Sequence, residues 1–413
     1  MTPLVSAAMK IDADAAGLDP TRLERITDHL ERNYIGPRKI TGCQTLVARG
    51  GHVGYFRSLG SMDHEDSAPI GDDTIFRIYS MTKPITSVAL MTLYEQGYFQ
   101  LGDPVSRFIP DFKAVKVKER GPDGERRLVD PARPVSVRDV LMHTGGLTYG
   151  TALENLAKGI TAALPWEPGD THDLATLATR VAAMPLAFHP GTHWQYSFST
   201  DICARLVEVI SGQRFDHYLS STIFEPLGMV DTGFRLRDGD EARFPSCYIR
   251  MPDKTLRRTD APGSSSYAVD TPMLSGGGGL ISTSADYLRF CQMLLNGGEL
   301  DSARVLGRKT VELMTQNHLP GGSDLQALAR GTFGETAFEG VGFGLGFAVG
   351  LGPAAQGAVG SAGEFYWGGA ASTIFWIDPA EELVVIFMTQ LIPSATFNFR
   401  GQLKNLVYQA IAD

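Results

Sequence analysis

Ser80-Met81-Thr82-Lys83 places a hydroxyl and an amine three residues apart, just ahead of the apolar run Ile85 to Met91. Residues three apart on a helix share one face, so Lys83 can reach the Ser80 hydroxyl if the pair sits in a first turn. Pro84 marks that turn, because proline is tolerated where its missing N–H has no partner to lose. A helix N-terminus also favours negative charge on the hydroxyl or on its acyl adduct. The chemistry implied is nucleophilic attack on a carbonyl with a lysine moving the proton. Lysine is protonated near neutral pH, so a basic role needs burial or a second cation. A helix cap followed by a surface lysine has the same spacing, and this one Ser-x-x-Lys does not choose between the two.

Other candidate groups are weaker. No Gly-x-Ser-x-Gly occurs, so the nucleophile elbow of a Ser-His-Asp hydrolase is missing. His143, in Met142-His143-Thr144-Gly145-Gly146, is the histidine most readily cast as a base. His189 and His193 have the spacing of helical zinc ligands, but Pro190-Gly191 between them forbids the helix. Gly276 to Gly279 lack the Gly-Lys-Ser of a phosphate loop and suit tight packing under a cleft. Neither a metal nor a cofactor is expected.

The elements that would hold these groups can be read from periodicity. Asp19-Pro20 caps a helix through Leu23, Ile26 and Leu30, and strands at Gln44 to Arg49 and His52 to Ser58 join at Gly50-Gly51. At the far end, two strands flank Asp378-Pro379, and Phe399, Leu403, Leu406, Val407 and Ala410 space out as a closing helix. Helical signals dominate between, at Val88 to Gln96, Val135 to Met142, Thr200 to Ile210 and Phe215 to Phe224. The expected organisation is α/β (α+β): an antiparallel-sheet domain from residues 1–83 and 275–413, with an inserted helical lobe at 84–274 and a ligand cleft between them. Phe244 to Gly279 and Leu319 to Gly340 resist assignment and are expected to be long loops walling the cleft.

With 413 residues, 43% apolar and 20% charged, the chain has ample core for this plan. A net charge of -9 argues against nucleic acid, and the basic stretch Lys113 to Arg127 is broken by acids. No apolar run reaches the roughly 18 residues of a membrane span, and the N-terminus lacks the pattern of a secretory signal. Cys43, Cys203, Cys247 and Cys291 are far apart, as in a reduced, cytoplasmic protein. The oligomeric state stays open.

Seven segments decide between cap and nucleophile. In order they are Ser80 to Phe112, "VRDVLMHTGGLTY", "FHPGTHWQYSFSTD", "PLGMVDTGF", "GGGGLISTSADYLRF", "GFGLGF" and "WGGAASTIFWIDP". The series, over roughly residues 20 to 411, closely resembles the serine β-lactamase and penicillin-binding-protein superfamily, in the class C-like branch with the family VIII carboxylesterases and related acyltransferases. The resemblance implies that fold, with Ser80 as acylated nucleophile, Lys83 as the lysine sharing its proton, and Tyr196 as the tyrosine that shuttles it to the leaving group. It puts Trp367-Gly368-Gly369 on an edge strand lining the cleft and the N–H groups of Ser80 and Ala370 in the oxyanion hole. His143 matches a histidine that the superfamily keeps as a structural polar group.

The residue chemistry agrees. A phenol titrates near 10, so Tyr196 acts as a base near neutrality only beside an ammonium such as Lys83. Two departures narrow the substrate. Trp367 stands where β-lactamase and peptidase members carry Lys or His, and Phe198 where they carry Asn. Both replace polar recognition with apolar surface, which suits an uncharged small-molecule ester better than a carboxylated peptide mimic. Transfer of the acyl group to an alcohol or amine uses the same residues, weak β-lactamase or D-aminopeptidase activity is a further alternative, and a non-catalytic binding module would have no need for all three groups.

Overall fold

A computed structural model describes residues 9–65, 68–121, 123–150, 172–331, 334 and 336–412. The reading of the N-terminus as lacking a signal therefore falls partly outside the described residues, as do positions 332, 333 and 335 of the Leu319 to Gly340 stretch. Asp19 caps helix α1 (Pro20–Leu30) by accepting from the N–H groups of Thr21 and Arg22. Strands β1 (Gly42–Arg49) and β2 (His52–Gly60) follow, turning at Gly50 and Gly51 with φ of 57° and 78°, which glycine adopts without strain. Helices α2 (Thr82–Glu95), α3 (Val137–Leu141), α4 (Ser199–Ser211), α5 (Ser284–Leu295) and α6 (Phe399–Tyr408) are spread along the rest.

Five further strands, β3 (Val341–Phe343), β4 (Ala348–Gly350), β5 (Phe365–Gly368), β6 (Ile374–Asp378) and β7 (Leu383–Thr389), complete a seven-stranded sheet. Its order is β3-β4-β5-β6-β7-β1-β2, and every neighbouring pair is antiparallel. The sheet closes where the two ends of the chain meet, β1 on β7, from Cys43 opposite Thr389 to Arg49 opposite Leu383.

Helices cover both faces. Phe387 of β7 packs on Phe399 of α6 with ring centroids 4.8 Å apart, and Phe375 of β6 on Tyr287 of α5 at 5.1 Å. Ile374 stands opposite Phe387 in register, and adjacent strand residues face opposite ways, so α6 and α5 lie on opposite sides. Double cover is also why Leu383 to Met388 reads as an unbroken apolar run rather than an alternating one; all seven residues of β7 are buried. This is the expected α/β plan of an antiparallel sheet flanked by N- and C-terminal helices: α1 lies beside α6 on one face, with Arg22 donating to the Gln409 carbonyl, and α5 covers the other.

Two expectations are corrected. Ser80 does not open the α-helix: Tyr79–Met81 is a 3-10 turn, α2 begins at Thr82, and Pro84 is its third residue. Phe244 to Gly279 is not one long loop. It holds the antiparallel strands Cys247–Arg250 and Leu256–Asp260, and Leu391–Ile392 adds to the first in parallel. Flanking Gly, Ser and Pro hid a hairpin whose only consecutive apolar run, Cys247 to Ile249, takes its burial from a distant segment.

Glu364, just before β5, makes a buried ion pair with Lys404 of α6. Removing one partner of such a pair strands the other in low dielectric. Lys404→Met is therefore expected to cost about 3–5 kcal/mol in urea unfolding, with much of the loss recovered in the Glu364→Gln/Lys404→Met double variant.

Candidate active site

Ser80 is presented by a strained turn. Tyr79 has φ of 42°, in the left-handed region that a bulky residue rarely occupies, and Ser80 follows it into α2. The turn is held from beneath. Phe76–Arg77 pairs antiparallel with Ile281–Ser282, the Ile78 N–H donates to the Leu280 carbonyl, and the Leu280 N–H donates to Thr82 Oγ1. Those contacts dock the glycine turn 276–279 against the first turn of α2.

Lys83 points into that junction. Its Nζ lies 3.1 Å from Ser80 Oγ and 2.6 Å from the Gly277 carbonyl oxygen, and only 3% of the residue is exposed. It also lies 4.5 Å from the centre of the Tyr196 ring and 5.8 Å from that of Tyr149. A buried ammonium costs free energy unless paired, and here hydroxyl, carbonyl and two ring faces share the task. Gly277 is required at its position, since a Cβ there would come within 2.5 Å of Asp201 Oδ2.

Tyr196 precedes α4 and is fixed by its neighbours. Its ring stacks on Trp194 with planes 2° apart, and its hydroxyl accepts from the Trp367 indole N–H at 3.2 Å. The His143 carbonyl accepts the Gln195 N–H, so the segment after α3 sets the height of the tyrosine. The His143 ring is buried beside Tyr196, 3.3 Å from Ser197 Oγ and 3.4 Å from Thr200 Oγ1. Burial, aided by the Lys83 charge, holds the imidazole well below its ordinary value, so it is neutral near pH 7.

Trp367-Gly368-Gly369 ends β5. The strand is not an edge strand: β4 pairs with its first half, Phe365 and Tyr366, while Trp367 and Gly368 pair only with β6. Trp367 and Gly368 lack a strand partner on that side because β4 stops short. The 369–373 turn folds tightly onto the segment that carries Ser80, where a Cβ on Gly369 would come within 2.4 Å of the Ile78 carbonyl oxygen. Among the described residues no acceptor engages the Ala370 N–H, which leaves it available for a developing oxyanion. Trp367 departs from expectation in one respect: it is fully buried and serves as a donor to Tyr196 rather than as open apolar surface. Phe198 meets Tyr149 edge-on at 4.7 Å.

Three participants were not singled out in the sequence. The Gly277 carbonyl has no signature beyond the glycine run, and Tyr149 none beyond the motif that contains it. Asp201 was legible in principle, as an acid in the first turn of a helix whose buried face includes it. His189 and His193 do not converge: His189 Nδ1 accepts from the Ala132 N–H, while His193 Nε2 lies 3.0 Å from Arg330. Among the described residues no group of three or more His, Cys, Asp or Glu could hold a metal ion, and no helix is long and apolar enough to cross a membrane.

The beta-lactamase family model matches residues 27–408. Protein Rv1367c of Mycobacterium tuberculosis is 32% identical over 358 residues, covering 86% of each chain. Esterase EstB of Burkholderia gladioli is 29% identical over 410 residues, covering 92% of this chain and 94% of its own. Among solved structures, EstCE1, described as a hydrolase with promiscuous acyltransferase activity, superposes with a TM-score of 0.75 at 23% identity, over 95% of this chain and 99% of that one. The chain belongs to the beta-lactamase family and is an enzyme of the serine β-lactamase-like superfamily.

His143 yields a stability test. Its folded value lies below the unfolded one of about 6.5, so the unfolded chain binds the extra proton as pH falls and stability falls with it. Chemical denaturation is expected to show a loss of about 1.4 kcal/mol per pH unit beneath pH 6 that His143→Gln removes.

Proposed function

We propose that the protein is a serine carboxylesterase of the family VIII type acting on uncharged small-molecule esters. The observation that carries this reading is the buried contact of 3.1 Å between Lys83 Nζ and Ser80 Oγ at a strained turn. In this mechanism the Lys83 ammonium holds Tyr196 as phenolate, and Tyr196 takes the Ser80 proton as Oγ attacks the ester carbonyl. The oxyanion is received by the N–H groups of Ser80 and Ala370. Collapse breaks the acyl–oxygen bond, and the leaving alcohol takes the proton back from Tyr196. Water then repeats the sequence on the acyl-enzyme, releasing the acid and restoring the Ser80 hydroxyl.

The names esterase for EstB and lovastatin esterase for a Penicillium rubens relative support ester hydrolysis. Acyl transfer uses the same intermediate with an alcohol or amine in place of water, and relatives named acyltransferases favour it as a second reading. The packed Tyr149 and Phe198 rings suit an apolar acyl or alkyl part. We also read residues 84–274 as the inserted lobe, with the site at its junction: Ser80 and Lys83 at its entry, Tyr196 within it and Gly277 at its exit.

With a short p-nitrophenyl ester, Ser80→Ala is expected to lose at least about a thousandfold in kcat, and a fluorophosphonate to add once per chain, on Ser80 by mass spectrometry. Full turnover in the variant, or an adduct elsewhere, defeats the proposal. Added primary alcohol separates the two readings: constant p-nitrophenol release with the acid replaced by a new ester marks the transferase.

A further inference from the structure

Asp201 is a buried carboxylate for which the mechanism above has no use. It lies in the first turn of α4 and is 1% exposed. Oδ1 accepts from the Ser275 hydroxyl at 2.6 Å and from the Gly277 N–H at 3.0 Å. Oδ2 is sealed from solvent, without a hydrogen-bond partner among the described residues. The peptide that gives its N–H to Asp201 belongs to the residue whose carbonyl accepts the Lys83 ammonium. A chain of contacts thus runs Asp201, Gly277, Lys83, Ser80. The turn is held on its other side by Thr86, whose hydroxyl donates to the Gly276 carbonyl.

We propose that Asp201 is a positioning residue for the nucleophile: it locks the Gly277 carbonyl onto Lys83 and supplies the buried negative charge that keeps that lysine an ammonium. The assignment rests on the acyl-enzyme reading for its catalytic meaning, though the charge coupling stands apart from it. The two donors on Oδ1 favour the ionised form of Asp201, and its charge balances that of Lys83. Burial pushes Asp201 up from the usual carboxylate range, while Lys83, Ser275 and Gly277 pull it back. The other titratable groups around the pair are Cys203 on the same helix, whose thiol burial and Asp201 push up, neutral His143 after α3, and the Tyr149 and Tyr196 rings over Lys83. Among the described residues Lys83 is the cation that lowers Asp201, so Asp201 bears on it.

The test compares wild type and Asp201→Asn in kcat/KM for a p-nitrophenyl ester between pH 5 and 10. Asparagine keeps the Oδ1 acceptor and removes the charge. The expected result is a maximum lower by at least about tenfold and an alkaline limb moved to lower pH by about one unit, because Lys83 loses its proton more readily. A limb that does not move overturns the assignment, whatever happens to the maximum. A wild type that a fluorophosphonate does not label on Ser80 defeats the esterase reading instead, and leaves the charge coupling to the following measurement. Lys83→Met strands the carboxylate, so relative to wild type it is expected to gain stability from pH 8 to pH 5, and adding Asp201→Asn is expected to raise its melting temperature at pH 8. A double variant no more stable than Lys83→Met refutes the pairing, and this arm serves also if Asp201→Asn alone fails to fold.

Discussion

The site depends on one buried cation. Lys83 brings an ammonium into the wall between the sheet and the helices, where an unpaired charge costs several kcal/mol. What makes it tolerable is a fitted set of acceptors: the Ser80 hydroxyl, the Gly277 carbonyl and the Tyr196 ring face. Those groups, at positions 80, 277 and 196, come from three stretches of chain far apart in sequence. Stability and reactivity are therefore tied together here, since any shift that loosens the lysine's partners also exposes the charge to an apolar surround.

The scaffold explains how three stretches are held in register. β1 and β7 fasten the ends of the chain, and helices on both faces turn the sheet into a rigid platform. From that platform β5 runs past the end of β4, leaving the backbone beyond Trp367 open on one side. Glycines make the remaining approaches possible. At 276, 277 and 369 a single added carbon would collide with helix α4, with Asp201 or with the Ile78 carbonyl, so the turns close around Ser80 only with hydrogen there.

Trp367 and Phe198, the two residues at which the sequence departs from the β-lactamase and peptidase pattern it resembles, act through packing. Trp367 is buried and gives its N–H to Tyr196. Phe198 turns its ring to Tyr149. Aromatic contacts thus orient the tyrosine and line its surroundings. In the proposed mechanism the hydroxyl, ammonium and phenol are the reactive set.

Local patterns determined much of the protein from the sequence alone. The hairpin at Gly50-Gly51, the capped α1, the paired strands around Asp378 and the closing helix are all short-range signals of period and turn chemistry. Ser80, Lys83 and Tyr196 were likewise nameable, because a serine and lysine one turn apart and a run of seven ordered motifs are linear properties. Tertiary structure alone decided the rest. The hairpin at 247–260 was hidden because its strand partner is at 391–392, and β5 was taken for an edge because nothing linear tells where β4 stops. Trp367 became a hydrogen-bond donor, His143 a neutral packed ring and Asp201 a counter-charge only through neighbours far away in sequence. Burial and long-range pairing set the protonation and direction of a side chain, and neither is a property of the residues beside it.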